Sequence, residues 1–162
     1  MKIGVVDGQG GGIGSQIVKK LRGVLPAEVE IFALGTNGVA TANMMKAGAT
    51  KGASGENAII LNIEQMDLVT GPIGIVLANS MLGELTPRVA EAVAGCRAHK
   101  VLLPVEKCGV EIAGIDHKRS LPRLIDEVVK RIEEMIGEKE TVKPKGGEDA
   151  KEILLSDGCP PR

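Results

Sequence analysis

Tryptophan and tyrosine do not occur in this chain of 162 residues, and Phe32 is its sole aromatic residue. No tyrosine can therefore act as a general acid, and no ladder of aromatic rings can stack the bases of a single-stranded nucleic acid. An excess of one charge sign is missing as well. Lys and Arg number 20 against 21 Asp and Glu, a formal net charge of −1, and the lysines do not cluster, which excludes a polycationic nucleic-acid binder. No apolar run approaches the roughly 20 residues that a membrane span requires. Met1 leads directly into Lys2-Ile3-Gly4-Val5-Val6 rather than into a secretory leader, so the cytosol is the expected compartment. Cysteine is scarce and unpaired. Cys96, Cys108 and Cys159 are widely spaced with no C-x-x-C pair, so they read as reduced thiols rather than as a zinc site or a disulfide framework.

Glycine, by contrast, is abundant: 22 residues, about twice the usual ~7%. The backbone must turn tightly, or approach something closely, at many points. With 43% hydrophobic and 25% charged residues the composition is that of a folded globular protein, and the length suits one domain.

Local patterns predict alternating strands and helices. Residues 2–7 form a short apolar run ending at glycines, as a buried parallel strand does. Ile13, Ile17, Val18 and Leu21 recur at helical spacing up to Gly23 and Pro26. A second strand is expected over 29–34. Asn37 is placed to cap a helix over 38–47, which Gly48 terminates. Residues 50–53 are assigned to a third strand, and Ser54 to the cap of a helix through 65. A fourth strand over 67–70 ends at Gly71-Pro72-Ile73-Gly74. Thr86-Pro87 has the form of a cap followed by proline at the first helical position, with Val89, Val93 and Cys96 continuing the face. Further strands are expected over 101–105 and 110–113. Ser120 opens the clearest helix, striped by Leu121, Leu124, Ile125, Val128, Ile132 and Met135. Beyond Gly137 the composition turns to Glu, Lys, Gly and Pro, which divides the chain into a domain over 1–136 and a flexible tail over 137–162.

This alternation predicts an α/β fold: a three-layer, Rossmann-like open sheet, mainly parallel, with helices on both faces. Ligands of such sheets lie beyond the carboxyl ends of the strands, where the strand order reverses. Every glycine-rich or polar loop of the chain falls at that edge. The loop Asp7-Gly8-Gln9-Gly10-Gly11-Gly12-Ile13-Gly14 has five glycines in seven residues from Gly8 to Gly14, more than a tight strand-to-helix turn needs. Free N–H groups and a helix N-terminus there favour an anion.

The spacing G-x-G-x-x-G fails. Gly8, Gly12 and Gly14 match the G-x-x-x-G-x-G spacing that resembles short-chain dehydrogenases. Gly8, Gly10 and Gly12 resemble the G-x-G-x-G loop of S-adenosylmethionine-dependent methyltransferases. No lysine follows Gly14, so a Walker A loop is excluded. The second strand ends Leu34-Gly35-Thr36-Asn37, without the acidic residue that grips a ribose in NAD enzymes. Thr36 and Asn37 can bond a ribose or simply cap the helix. Asp7 can accept from a hydroxyl or an ammonium, hold Mg²⁺, or cap its own helix, and the local role is the one expected. Glu56 falls in the first turn after Ser54, where the helix dipole favours it. The run Ile73-Gly74-Ile75-Val76-Leu77-Ala78 is too apolar to be solvated, which makes it core, pocket wall or subunit interface. His99 and His117 read as surface residues.

Asp7-Gly8-Gln9-Gly10-Gly11-Gly12-Ile13-Gly14, Ala33-Leu34-Gly35-Thr36-Asn37, Gly55-Glu56-Asn57-Ala58 and Gly71-Pro72-Ile73-Gly74-Ile75 together resemble an uncharacterised bacterial family of small Rossmann-like proteins, a numbered domain of unknown function. The resemblance covers residues 1–136. It implies the fold and brings no activity and no catalytic residues. The leading functional expectation is a nucleotide-binding protein, for NAD or NADP, with Gly8, Gln9, Gly10, Gly11, Gly12, Ile13, Gly14, Thr36, Asn37, Gly71 and Pro72 as the cofactor-binding set. No catalytic residue and no metal ligand is assigned. Two alternatives stand: a small enzyme for another adenosine ligand such as S-adenosylmethionine, and a non-enzymatic ligand sensor or scaffold. Short-chain dehydrogenase catalysis is excluded with its tyrosine, and about 136 ordered residues leave little room for a substrate domain. A homodimer is expected, with residues 73–85 contributing to its interface.

Overall fold

The computed structural model describes residues 1–105, 110–115 and 118–141. Its elements run β1 (Lys2–Asp7), α1 (Gly12–Val24), β2 (Glu30–Gly35), α2 (Gly38–Lys46), β3 (Lys51–Ser54) and α3 (Glu56–Ile63). They continue with β4 (Leu68–Pro72), two short 3₁₀ turns (Ile73–Val76 and Met81–Gly83), α4 (Pro87–Gly95), β5 (His99–Leu103) and α5 (Leu121–Thr141). All neighbouring strands are parallel, in the order β3-β2-β1-β4-β5. The chain steps outward from β1 to β3, then crosses back to lay β4 on the other side of β1. The reversal of strand order therefore lies between β1 and β4, and a Rossmann-like α/β architecture results.

Side-chain alternation along the strands builds two cores. Ile3 and Val5 of β1, Ile31 and Ala33 of β2 and Leu68 of β4 pack against Ile17, Val18 and Leu21 of α1, Met44 of α2, and Ile125 and Ile132 of α5. Val6, Phe32, Leu34 and Val69 face the opposite way, onto Ile59 and Ile63 of α3 and Val89 and Val93 of α4. Both faces of the sheet are covered, which is why β1, β2 and β4 read as continuous apolar runs. Full burial of an aliphatic side chain stabilises by roughly 1.5–3 kcal/mol, so these two layers dominate the fold's energetics.

Local signals acted where they were expected. Asn37 Oδ1 accepts from Ala40 N at 2.9 Å at the start of α2, and Gly48 adopts φ +110 just past its end. Thr86 Oγ1 accepts from Val89 N at 3.2 Å, with Pro87 opening α4. The stripe of α5 packs on α1, where Lys20 pairs with Asp126.

Four expectations are corrected. Residues 110–113 form no sixth strand; they are partly or fully exposed and run into a turn at Gly114 (φ +85), so β5 ends the sheet. Ser54 does not cap α3, because it is the last residue of β3; Gly55, at φ +96, makes the turn instead, and the helix ends at Ile63. β5 spans His99–Leu103 rather than 101–105, because Leu68 of β4 pairs with His99. α5 continues to Thr141, across the compositional change at Gly137, and the rest of the tail expected over 137–162 lies outside the described residues. His99 is exposed at the edge of the sheet away from the loops, whereas His117, Cys108 and Cys159 lie outside the described residues. Cys96 is buried and free. Among the described residues no helix is long and apolar enough to cross a membrane.

Candidate functional site

Alternation along β1 decides where the first carboxyl of the site goes. Ile3 and Val5 face α1, so Asp7 faces the same way and meets the first turn of that helix. Its Oδ2 accepts from Gly14 N at 2.7 Å and its Oδ1 from Gly8 N at 2.8 Å, in a residue only 5% exposed. The aligned peptide dipoles of α1 favour an acidic group there. Asp7 thus takes the local capping role.

The five glycines of the loop divide into two kinds. Three are required by the chain itself. A Cβ on Gly11 would lie 2.7 Å from Ala40 Cα and O, and Gly11 has φ +65. A Cβ on Gly14 would lie 2.5 Å from Met44 Sδ, and one on Gly8 would lie 2.7 Å from Met81 Sδ and 2.8 Å from Thr36 Oγ1. Gly10 and Gly12 are different: a Cβ on either would point into open space. Their N–H groups, and that of Ile13, donate to no acceptor among the described residues, whereas those of Gly8, Gln9, Gly11 and Gly14 are all bonded. The loop is held from α2, where Asn43 Nδ2 donates to Gly10 O at 2.9 Å.

A second carboxyl arrives from far along the chain. Glu84 Oε2 accepts from Thr36 Oγ1 at 2.6 Å, from Gln9 N at 2.8 Å and from Asn37 Nδ2 at 2.8 Å. The Thr36 hydroxyl and then the Gln9 N–H, with a smaller share from Asn37, hold the Glu84 carboxyl below the usual range against the opposing effect of burial. Asn37 is fully committed, since its Nδ2 also donates to Gln9 O at 2.9 Å while its Oδ1 caps α2. The carboxylate beside the end of β2 therefore comes from the segment after β4. That segment is conformationally strained: Met81 (φ 56) and Leu82 (φ 60) are left-handed without being glycine, at a cost of roughly 1–2 kcal/mol each, whereas Asn79 (φ 62) is of a type that adopts this region readily. Burial of Leu85, the bond from Ser80 Oγ to Gly74 O at 2.6 Å, and the Glu84 cluster offset that cost.

Between the ends of β1 and β4 the structure leaves an open cleft of about 850 Å³. Its walls are mainly aliphatic, from Ile13, Pro72, Val76, Leu77, Met81, Leu82, Val105 and Val110, with Asp7, Gln9, Asn79 and Ser80 as polar points. Of the cofactor-binding set drawn from the sequence, Gln9, Ile13 and Pro72 line this cleft. Thr36 and Asn37 lie on the β2 side, bonded to Glu84. Gly71 serves the backbone: at φ +154, its added Cβ would lie 2.2 Å from Val6 O.

The apolar run after Pro72 is divided. Ile75 is fully buried in the core beside α4, Val76 and Leu77 form the cleft wall, and further on Leu82 is 96% exposed. Glu56 turns away to join two helices, accepting from Thr86 Oγ1 at 2.5 Å and pairing with Arg88 at 2.9 Å. Among the described residues no three of His, Cys, Asp and Glu come together as metal ligands would. The meeting of Glu84 with Thr36, 48 positions apart, has no local signal in the sequence.

A family model described as a domain of unknown function (DUF3842) matches residues 2–137, and the chain belongs to that family. No curated protein matches it. Among solved structures the chain is similar to a dodecameric FMN-dependent UbiX-like decarboxylase from Escherichia coli O157:H7. Identity is 17% and the TM-score 0.50, over 85% of this chain and 94% of that one. At such identity the likeness is one of fold.

Proposed function

We propose that this DUF3842 protein binds a nucleotide-type ligand in the cleft between the ends of β1 and β4. The observation that carries the reading is the row of N–H groups at Gly10, Gly12 and Ile13 that meet no acceptor among the described residues, set at the start of α1 beside an aliphatic cleft. A phosphate suits the N–H row and the helix dipole, and a planar or apolar ring suits the cleft. The cleft volume of about 850 Å³ falls within the range of roughly 300–1,000 Å³ common to small-molecule sites. Asp7 limits where the phosphate sits. Two unit charges ~4 Å apart interact by ~4 kcal/mol at an effective dielectric near 20. The phosphate therefore belongs at Gly10 and Gly12, away from the Asp7-capped Gly14.

Within this class the glycine loop of the sequence points to NAD or NADP, of which it is the nicotinamide mononucleotide unit that suits the cleft. Flavin mononucleotide meets it too, and the E. coli neighbour is FMN-dependent by its title. The assembly that goes with the reading is a homodimer, with exposed Leu82 as an apolar contact at the rim of the cleft.

Small molecules released from the denatured protein and weighed by mass spectrometry test the reading, together with titrations of NAD⁺, NADP⁺, FMN and S-adenosylmethionine. A bound nicotinamide or flavin nucleotide is the expected result. Binding of S-adenosylmethionine alone selects the methyl-donor alternative, and a stoichiometric lipid or sugar phosphate overturns the proposal.

A further inference from the structure

We infer that Glu84 confines this site to a single nucleotide unit, excluding the second nucleotide of a dinucleotide; the inference rests on the nucleotide reading above. A dinucleotide on a sheet of this kind straddles the reversal of strand order. One of its nucleotides reaches over the end of β2, where a side chain grips the ribose. In this chain that place is filled from within. The space above Gly8 is taken up by side chains: an added Cβ would lie 2.7 Å from Met81 Sδ, 2.8 Å from Thr36 Oγ1 and 3.1 Å from Glu84 Oε2, so that one of them would have to shift.

The side-chain donors at the end of β2 are engaged as well. The Thr36 hydroxyl donates to Glu84 at 2.6 Å, and the Asn37 amide serves Glu84, Gln9 O and the cap of α2. The Gln9 N–H, the loop donor nearest β2, also goes to Glu84 at 2.8 Å. A second phosphate approaching there would meet a carboxylate that already holds three donors. The cleft agrees with this one-sided geometry: Asp7 and Pro72 line it at the ends of β1 and β4 and Gln9 from the loop after β1, and among the described residues none of β2 or of the turn after it lines the space. Glu84 is thus a specificity-determining residue whose carboxylate stands where the adenosine ribose of a dinucleotide would go.

Two matched pairs test this, each differing by one adenylate unit: FMN against FAD, and nicotinamide mononucleotide against NAD⁺. All four are titrated into the full-length protein by calorimetry. The wild type is expected to bind the mononucleotide of at least one pair at least tenfold more tightly than its dinucleotide. In Glu84→Ala, with folding checked by circular dichroism, that preference is expected to fall at least fivefold. Thr36→Val, which removes the shortest anchor of Glu84, is the second variant and is expected to move the ratio in the same direction. Equal affinity within every pair that binds, or a preference for the dinucleotide, overturns the inference while leaving nucleotide binding standing. An unchanged ratio in both folded variants also overturns it. Failure of all four probes to bind the folded wild type overturns the nucleotide reading, and this inference with it.

Discussion

Gly11 and Gly12 are neighbours with opposite tolerances, and that contrast separates folding from binding. Gly11→Ala places a methyl group against the backbone of Ala40 at φ +65 and is expected to destabilise by about 2 kcal/mol. Gly12→Val meets open space at the first position of α1. Its stability should stay within about 1 kcal/mol of wild type, while ligand affinity falls at least about tenfold because the branched side chain stands where phosphate meets backbone. Chemical denaturation and calorimetry on both variants distinguish the two effects, and an unchanged affinity in Gly12→Val would reduce the loop to a turn.

Thr70, on the strand that carries the other side of the cleft, is fully buried and its Oγ1 has no hydrogen-bond partner among the described residues. Thr70→Val removes that unpaired hydroxyl and is expected to stabilise by about 1 kcal/mol, visible as a raised denaturation midpoint. Glu84 predicts a pH dependence. Its carboxyl titrates below the ordinary value of 4.5 in the folded chain, so its stabilising contribution is complete above that value and is lost as pH falls through the lower folded one. Between wild type and Glu84→Gln, the gap in melting temperature should therefore narrow as pH drops below 4.5. Parallel curves across that window would contradict the assignment.

At the scale of the element, the segment from Ile73 to Leu85 does three jobs with one apolar composition. Ile75 and Leu85 are fully buried within the chain, Val76 and Leu77 wall the cleft, and Leu82 stands in solvent. A charge at Ile75 consequently damages the monomer core and says nothing about assembly. Leu82→Glu is the discriminating change. Light scattering on that variant should show a smaller particle than the wild type at tens of micromolar, with an unaltered circular dichroism spectrum. A wild type that is already monomeric at that concentration removes the homodimer. The caps belong to this scale too. Asn37 and Thr86 were legible because a cap and its helix lie within three residues of each other. Ser54 was a plausible cap by the same rule, but pairing of β3 with β2 extends the strand through it and moves the turn to Gly55.

For the whole molecule, the missing aromatics become an instrument. With no Trp or Tyr and only Phe32, the polypeptide absorbs almost nothing at 280 nm. A co-purified nucleotide should dominate the ultraviolet spectrum with a band near 260 nm, and a flavin should add visible colour. A preformed loop and cleft spend little ordering entropy on binding, which favours retention through purification. The spectrum of the purified protein, followed by mass spectrometry of its filtrate after denaturation, reads this out without any assay of activity.

The order of strands and helices, the parallel sheet, the glycine loop at its carboxyl edge and the stripe of α5 were all legible in the sequence. Each depends on spacing within a few residues, on the periods of 2 and 3.6 and on cap chemistry. What the tertiary structure decided involves residues far apart along the chain. Glu84 meets Thr36 across 48 positions, which places a carboxylate beside the end of β2. Ile75 proves to be core because α4 packs against the turn that carries it, and residues 110–113 form no strand because they run, partly or fully exposed, into the turn at Gly114. Periodicity tells a residue which face it occupies, but the segment it meets there is chosen by the packing of the whole chain.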